Sequence, residues 1–361
     1  MAHHNDKRRR KAYKARMTRR INIGGVAVGG GARVSVQSMA TARTSDAGAA
    51  AEQILALERA GCEIARCAVP DMESAKALRE IKLRVHIPIV ADIHFDHRLA
   101  LAAVEHGADK IRINPGNIGA RENVRAVAEA CRERGIPIRV GVNGGSLEKP
   151  LLEKYGGATA EALAESAVSQ VRLLEDMNFR DICVSAKSSD VMTTVKAYRL
   201  ISGMTDCPLH LGVTEAGTEF AGIIRSTAAL GALLADGIGD TIRFSLTAPP
   251  EREAAAGAEL LRSLGLRPSG PRLVSCPTCA RCRYDMFSVA SEVERRLAEL
   301  PPERDITVAV MGCAVNGPGE ARAADFGIAG GNGAGVLFRH GEIAGRAPEN
   351  ELVARLFEMI G

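Results

Sequence analysis

Residues 87–142 read IPIVADIHFDHRLALAAVEHGADKIRINPGNIGARENVRAVAEACRERGIPIRVGV, and the alternation within this stretch decides the fold. Short apolar runs rich in β-branched residues predict strands at Ile87–Ala91, Lys110–Ile113 and Ile138–Val142. The segment Ala120–Arg134 is rich in Ala and Glu and has the spacing of a helix. Strands that alternate with helices are typical of a parallel sheet covered by helices.

The same alternation continues on both sides of this stretch. Further strands are predicted at Val34–Gln37, Ile64–Val69, Asp181–Ser185, Leu209–Val213 and Thr241–Ser245, and further helices at Ala47–Ala60, Ala160–Met177 and Phe220–Ala235. Eight strand–helix repeats predict an α/β fold of the (β/α)8 TIM-barrel type. A doubly wound sheet is less favoured, because no G-x-G-x-x-G follows a strand and no P-loop motif is present in the sequence.

A second, smaller domain is predicted after the barrel. Pro268, Gly270 and Pro271 mark a boundary, so we expect the barrel to occupy residues 21–268 and the second domain residues 269–361. In the second domain, strands at Ile306–Met311 and Gly335–Arg339 and helices at Met286–Leu300 and Glu349–Ile360 predict a small α+β fold that contains a cluster of cysteines.

Charge is distributed unevenly along the 361 residues. The formal net charge is +4, but residues 1–20 hold nine Lys or Arg and only one acid, so the rest of the chain is mildly acidic. We expect residues 1–20 to be a disordered basic tail. Trp is absent and aromatic residues make up 3%, which disfavours nucleic-acid binding by stacking. Neither a membrane span nor a secretory signal is visible, so a cytoplasmic protein is expected.

Polar side chains lie at the carboxyl ends of the predicted strands, where TIM barrels carry their active sites. These candidates are Arg66, Asp92, Arg112, Asn114, Arg139, Asn143, Lys187, His210, Glu215, Arg243 and Ser245. Five of them are cations, which exceeds the number of acids nearby and predicts an anionic ligand, with a diphosphate as the best match. Asp92 and Glu215 are candidate acid–base groups, or anchors for hydroxyl groups and cations.

Four cysteines cluster in the last quarter of the chain. Cys276 and Cys279 form a C-x-x-C, Cys282 extends it, and Cys313 follows in a segment that contains Glu320. Paired C-x-x-C knuckles typical of structural zinc are missing, so three thiolates with a fourth ligand favour an iron–sulfur cluster over zinc or unliganded thiols. The spacing leaves Cys282 and Glu320 open as the fourth ligand. The other five cysteines lack ligand spacing and are expected in the core.

Eight ordered motifs together identify a family resemblance. They are Val36-Gln-Ser-Met39, Ala91-Asp-Ile-His-Phe95, Lys110-Ile-Arg-Ile-Asn-Pro-Gly-Asn117, Arg139-Val-Gly-Val-Asn143, Leu209-His-Leu-Gly-Val-Thr-Glu-Ala-Gly217, Gly237-Ile-Gly-Asp-Thr-Ile-Arg243, Ser275-Cys-Pro-Thr-Cys279 and Gly312-Cys-Ala-Val-Asn-Gly-Pro-Gly-Glu320. From about Thr18 onwards, the chain resembles the 4-hydroxy-3-methylbut-2-enyl diphosphate synthases, which are iron–sulfur oxidoreductases of the methylerythritol phosphate route to isoprenoids. The tail before Thr18 lies outside the match.

The resemblance implies a reaction and a cofactor. It implies a 4Fe-4S cluster on Cys276, Cys279, Cys313 and Glu320, with Cys282 as an extra cysteine. The expected reaction is reductive ring opening and dehydration of 2-C-methylerythritol 2,4-cyclodiphosphate, with two electrons from reduced ferredoxin or flavodoxin and with the protein as a homodimer.

We hypothesise specific roles for the candidate residues in this reaction. The residues expected to bind the substrate are Arg66, Arg112, Asn114, Arg139, Asn143, Lys187, His210, Arg243, Ser245 and Asn316, with Glu215 and Asp92 as catalytic groups. A hydro-lyase that uses the cluster without redox chemistry and a zinc-stabilised nucleic-acid-binding protein are the alternatives.

Overall fold

The structure is a computed structural model that describes residues 15–114, 116–268, 270–301, 303–313, 319 and 321–361. It divides into two compact units between Leu266 and Arg267, about two residues before the predicted end of the barrel. Within the described residues, no helix has the length and apolar character that crossing a bilayer requires.

The first unit alternates strands and helices. Its strands are β1 (Ile21–Ile23), β2 (Val26–Val28), β3 (Ser35–Met39), β4 (Ile64–Ala68), β5 (Ile89–Asp92), β6 (Lys110–Ile113), β7 (Ile138–Asn143), β8 (Ile182–Lys187), β9 (His210–Leu211) and β10 (Thr241–Ile242). Its helices are α1 (Ala47–Arg59), α2 (Met72–Arg84), α3 (His97–Glu105), α4 (Arg121–Glu133), α5 (Lys149–Tyr155), α6 (Ala160–Glu175), α7 (Val191–Met204), α8 (Glu219–Ala235) and α9 (Pro250–Ser263), with a 3-10 turn at Gly144–Ser146.

Strands β3 to β10 form a barrel. Each strand from β3 to β8 pairs in parallel with the next, and β10 pairs in parallel with both β3 and β9. A parallel bridge between Val184 and Leu209 joins β8 to β9 and closes the ring. The predicted (β/α)8 TIM-barrel fold is therefore confirmed.

Local sequence signals explain where several of the outer helices begin. The carboxylates of Asp46, Asp71, Asp96 and Asp190 each accept a backbone N–H of the following helix, which satisfies a donor that has no partner within the helix. The buried faces of these helices are mainly Ala, Leu, Ile and Val, and they cover the barrel strands. Small residues on these faces let helix and strand approach closely.

Residues before the barrel are bound to it. The antiparallel hairpin of β1 and β2 packs its buried residues Ile21, Ile23 and Val28 against the barrel. The backbone N–H of Arg16 donates to Gly237 O at 2.9 Å, and Thr18 Oγ1 donates to Asp240 Oδ1 at 2.8 Å. The sequence assigns these residues to a disordered tail because of their basic charge, and the assignment misses these contacts because the partners are distant in sequence. Residues 1–14 of that tail lie outside the described residues.

The second unit is a mixed sheet with helices. Its elements are β11 (Arg272–Ser275), α10 (Met286–Leu297), β12 (Thr307–Met311), β13 (Phe326–Ala329), β14 (Ala334–Arg339), β15 (Glu342–Pro348), a 3-10 turn at Glu349–Glu351 and α11 (Leu352–Ile360). The sheet order is β11-β12-β13-β14-β15, parallel as far as β13 and antiparallel beyond it. Its buried Val, Leu, Ile and Phe residues form a core of their own. The predicted α+β class is confirmed.

Candidate active site

A polar cavity of about 280 Å³ lies at the carboxyl ends of the barrel strands. Its lining consists of Met39, Arg66, Asp92, His94, Arg112, Arg139, Asn143, Ser185, Lys187, Thr214, Arg243 and Ser245. Eight of the substrate-binding and catalytic candidates predicted from the sequence therefore meet in one place. The meeting follows from the fold, because parallel strands of a barrel direct their carboxyl ends to the same face.

Asp92 neutralises two of the cations. Its Oδ1 accepts Arg112 Nη1 at 3.0 Å, and its Oδ2 lies 3.7 Å from Arg66 Nε and 3.4 Å from His94 Nε2. Burial alone would raise the pKa of Asp92, but the surrounding cations, Arg66 first among them, hold this pKa well below its usual range. Asp92 is therefore a permanently ionised anchor for guanidinium groups and has no proton to donate.

A second carboxylate, which the sequence analysis missed, belongs to Glu253 of helix α9. It is 4% exposed, and its Oε2 accepts Arg243 Nε at 3.3 Å and Ser38 Oγ at 3.0 Å. The backbone N–H of Leu246 donates to Oε1 at 2.9 Å. Glu253 thus fixes the cation after the last barrel strand and holds the loop that carries it.

Two further cations in the cavity have no such carboxylate. Arg139 is 1% exposed, and its Nε and Nη1 have no hydrogen-bond partner among the described residues. Lys187 is 6% exposed. Burial, followed by the repulsion of Arg112, lowers the pKa of Arg139 to about 10. Five cations thus face two carboxylates, and this excess of positive charge suits an anion with several oxygen atoms.

Two glycines of the barrel, one in β7 and one directly after β9, make room for these cations. A Cβ on Gly141 would lie 2.5 Å from Arg112 Nε, and a Cβ on Gly212 would lie 2.6 Å from Lys187 Nζ. Any side chain at either position would displace the cation beside it. The polar lining therefore depends on the absence of side chains as well as on the charged residues.

Three predicted residues do not line the cavity. Asn114 is buried, and its Oδ1 accepts the backbone N–H of Gly116 at 3.1 Å. His210 is the first residue of β9 and lies fully buried, with neither ring nitrogen hydrogen-bonded among the described residues. Glu215 is exposed, with φ of +52°. Asn316 and Glu320 lie outside the described residues.

Met39 and Lys110 were not predicted to bind the substrate, and their contacts give them other roles. Met39 Sδ lies 3.1 Å from Arg66 Nε and packs the guanidinium against the wall. Lys110 is fully buried in the barrel interior, with Nζ 3.4 Å from Gln37 Oε1. Burial lowers the pKa of Lys110 to about 7. A lysine within an otherwise apolar strand run was the available signal for this residue.

The clustered cysteines of the second unit lie after neighbouring parallel strands. Cys276 directly follows β11, and Cys313 follows β12 with Gly312 between them. The backbone N–H of Gly312 donates to Cys276 Sγ at 3.1 Å. Cys279 is exposed, and hydrogen bonds from Arg281 lower the pKa of its thiol. Hydrogen bonds and a nearby guanidinium both favour the thiolate form, which is the form that ligates metals.

Cys282 lies close to the same point. Its Sγ would be 3.3 Å from a Cβ on Gly312 and is 3.4 Å from Tyr284 O. The remaining cysteines, Cys62, Cys67, Cys131, Cys183 and Cys207, are buried free thiols, as the sequence predicts. The contrast separates core cysteines from the partly exposed clustered ones.

Family profiles match both units. The profile described as the GcpE TIM-barrel domain matches residues 18–258, and that of the GcpE protein C-terminal domain matches residues 272–361. The chain belongs to the GcpE family. A relative from Geobacter sulfurreducens, named 4-hydroxy-3-methylbut-2-en-1-yl diphosphate synthase (flavodoxin), is 58% identical over 94% of this chain and 96% of its own length. A relative of the same name from Clostridium perfringens is 53% identical over 95% and 98%. The family resemblance inferred from the motifs is confirmed.

Solved structures resemble the chain at the level of the fold. Dihydropteroate synthase from Stenotrophomonas maltophilia superposes with a TM-score of 0.51 at 15% identity, covering 68% of this chain and 97% of that structure. At this identity the likeness shows the fold alone.

Proposed function

We propose that this member of the GcpE family converts 2-C-methylerythritol 2,4-cyclodiphosphate into 4-hydroxy-3-methylbut-2-enyl diphosphate by reductive ring opening and loss of water. The observation that carries the proposal is the cavity lining, in which five cations accompany one carboxylate, that of Asp92, while Glu253 pairs with Arg243 from outside the lining. The names of relatives that cover nearly the whole chain support the same reaction.

The cations that lack a carboxylate are the principal ligands of the diphosphate in this proposal. Among the described residues, neither Arg139 nor Lys187 has a carboxylate partner, so both side chains are available to the anion. Arg66, Arg112 and Arg243 are held in place by carboxylates and extend free N–H groups to the remaining oxygen atoms. Asn143 and Ser245 line the same cavity and donate hydrogen bonds to the substrate.

Asp92 and Glu215 were proposed as catalytic groups, and we assign them different roles. Asp92 orients Arg66 and Arg112, since its ionised state makes it an acceptor for their N–H groups. Glu215 is exposed beside the carboxyl end of β9, so it can reach a hydroxyl group of the substrate only from the loop side. Asn114 and His210 act from behind the cavity wall, by shaping the loop and the interior beneath it.

The thiols of the second unit fit an iron–sulfur cluster. Cys276 and Cys313 follow two adjacent parallel strands, a backbone N–H donates to the sulfur of Cys276, and the guanidinium of Arg281 lies beside Cys279. Cysteine thiolates are the ligands that hold such clusters. We propose Cys276, Cys279, Cys313 and Glu320 as the ligands of a 4Fe-4S cluster. When bound, this group would relay the two electrons from the electron donor, one at a time.

The proposal also covers the electron donor, the oligomeric state and the cellular location. A reduced flavodoxin is the electron donor favoured by the names of the relatives, with ferredoxin as the alternative. The protein is proposed to act as a homodimer. The cytoplasm is the proposed location, because the buried cysteines are free thiols, as expected in a reducing compartment.

Anaerobic turnover tests the proposal. Full-length protein purified without oxygen is mixed with the cyclic diphosphate and photoreduced flavodoxin, and the phosphorus NMR spectrum is followed. We expect the cyclic diphosphate resonances to be replaced by those of an open diphosphate, and only when reductant is present. Product formed without reductant would instead identify a hydro-lyase, and no product from iron-loaded protein would refute the assignment.

A further inference from the structure

The amine of Lys187 lies among positive charges. It is nearly buried at the end of β8, and the charges that act on it are those of Arg243, Arg139, Arg66 and Arg112, from strands on several sides of the barrel. Within the described residues, this amine has neither a hydrogen bond nor an ion pair. Its surroundings therefore disfavour the ammonium form as long as the cavity holds no anion.

The neighbouring carboxylates are already engaged. Asp92 contacts Arg66 and Arg112, and Glu253 contacts Arg243. The two histidines near the amine provide no negative charge. His94 pairs with Asp92, and the pKa of His210 is lowered well below its usual value by burial and then by nearby cations, Arg139 first. Burial first, and then these arginines, lower the pKa of Lys187 well below its usual value.

The position of the amine is fixed by the adjacent strand. Gly212 lies directly after β9, and a Cβ there would lie 2.6 Å from Lys187 Nζ. The amine therefore rests against the backbone of a neighbouring barrel segment. Because the amine is held near the cations, a change in the local charge acts directly on its protonation equilibrium.

We propose that Lys187 is uncharged in the free protein at mildly alkaline pH and takes up a proton when the anionic substrate binds. This inference rests on the proposed function of the cavity. Binding of the cyclic diphosphate and protonation of this amine are then one coupled equilibrium, because an anion that stabilises the ammonium binds more tightly to the protonated form to the same degree.

The charge balance of the reaction favours retention of this proton on Lys187. The cyclic dianion, two electrons and one proton yield water and an open diphosphate trianion, as the bond from the tertiary carbon to the ring oxygen breaks and the hydroxyl group leaves as water. Because the product has one negative charge more than the substrate, the ammonium of Lys187 is retained throughout turnover. Lys187 thus balances charge, and the proton consumed in the reaction comes from elsewhere.

Calorimetric titration measures the uptake directly. The full-length protein, without an electron donor, is titrated with 2-C-methylerythritol 2,4-cyclodiphosphate at pH 8 in two buffers that differ in ionisation enthalpy. Neither phosphoryl group of this ligand titrates near pH 8, so any proton taken up belongs to the protein. We expect uptake of about one proton, and an affinity that falls by up to about tenfold per pH unit as pH rises.

Three variants assign the proton. Lys187→Met should bind more weakly and without uptake, and Lys187→Arg, whose charge is permanent, should bind without uptake while keeping a cation in the cavity. Lys110→Met is the matched control, because this second buried lysine is hydrogen-bonded to Gln37 and should leave the uptake intact.

Specific outcomes would overturn the inference. Tight binding by the wild-type protein with the same enthalpy in both buffers would show that no proton is taken up. Uptake that persists in Lys187→Met and disappears in Lys110→Met would assign the proton to Lys110 and contradict the inference. If the wild-type protein binds no cyclic diphosphate at all, the proposed function of the cavity fails together with this inference.

Discussion

The barrel unit and the second unit place their functional residues in different ways. In the barrel, Arg66, Arg112, Arg139 and Lys187 belong to strands and are buried, so the sheet itself sets their spacing. In the second unit, Cys276 and Cys279 lie after a strand, and Cys279 is exposed. The difference indicates that the anion site is preorganised by the fold, whereas the thiol site depends on the group it binds to fix its geometry.

The largest expected effect separates the two sites. Cys276→Ala should lower the turnover rate by at least about 1,000-fold, because one thiolate ligand of the cluster is lost. The affinity for the cyclic diphosphate, measured by calorimetry, should stay within about threefold of the wild-type value, since the barrel strands hold the cations. An equally large loss of anion affinity would show that the barrel site is not independent of the thiols.

Removing the buried carboxylate should destabilise the barrel. Asp92→Asn leaves Arg66 and Arg112 without their negative partner, and the free energy of unfolding should fall by about 3 kcal/mol in urea denaturation. Adding the cyclic diphosphate should restore part of this loss, because the ligand supplies negative charge at the same place. A variant that is as stable as the wild type would contradict the role given to Asp92.

The same carboxylate predicts a pH dependence. Since the pKa of Asp92 is lower in the folded protein than in the unfolded chain, its stabilisation is complete above the unfolded value of about 4 and is lost as the pH falls below it. Unfolding followed from pH 7 to pH 3 should show this loss in the wild type. Asp92→Asn should lack that component of the acid transition.

A smaller effect is expected from a single methyl group. Gly141→Ala places a Cβ 2.5 Å from the present position of Arg112 Nε and should weaken binding of the cyclic diphosphate about tenfold. Gly145→Ala is the matched control, because nothing lies within 4 Å of its added Cβ. Equal affinities for the two variants would show that the position of Arg112 does not matter for binding.

The smallest effect is expected at the extra cysteine. Cys282→Ser should leave iron and acid-labile sulfide per chain unchanged, since the proposed ligands do not include Cys282. Loss of iron similar to that in Cys276→Ala would make Cys282 a ligand and remove Glu320 from the proposed set.

The sequence predicts much of the fold because the barrel strands are short apolar runs separated by helices. Arg66, Arg112 and Arg139 are visible for the same reason, since a cation within an apolar run is conspicuous. The carboxylate of Glu253 is not, because it lies on an ordinary amphipathic helix, and only the packing of α9 turns it towards Arg243. His210 was predicted to lie with the cavity residues, but it is the first residue of β9 and is fully buried.

In the second unit, the sequence shows the cysteine spacing but not the sheet around it. Strands β11, β13 and β15 were missed, since they are short or carry Gly, Arg and Glu where an apolar alternation is expected. Their pairing with β12 and β14 is decided by tertiary contacts. The proximity of Cys276 and Gly312 follows from that pairing and was therefore not predictable from spacing alone.

Iron, acid-labile sulfide and zinc per chain in anaerobically purified protein provide the most direct test of the proposed redox chemistry. We expect about four irons and about four sulfides per chain, with a visible absorption that bleaches in air. One zinc and no sulfide, persisting after anaerobic reconstitution with iron and sulfide, would contradict the account, because the thiols of the second unit would then hold a redox-inactive ion that cannot relay electrons.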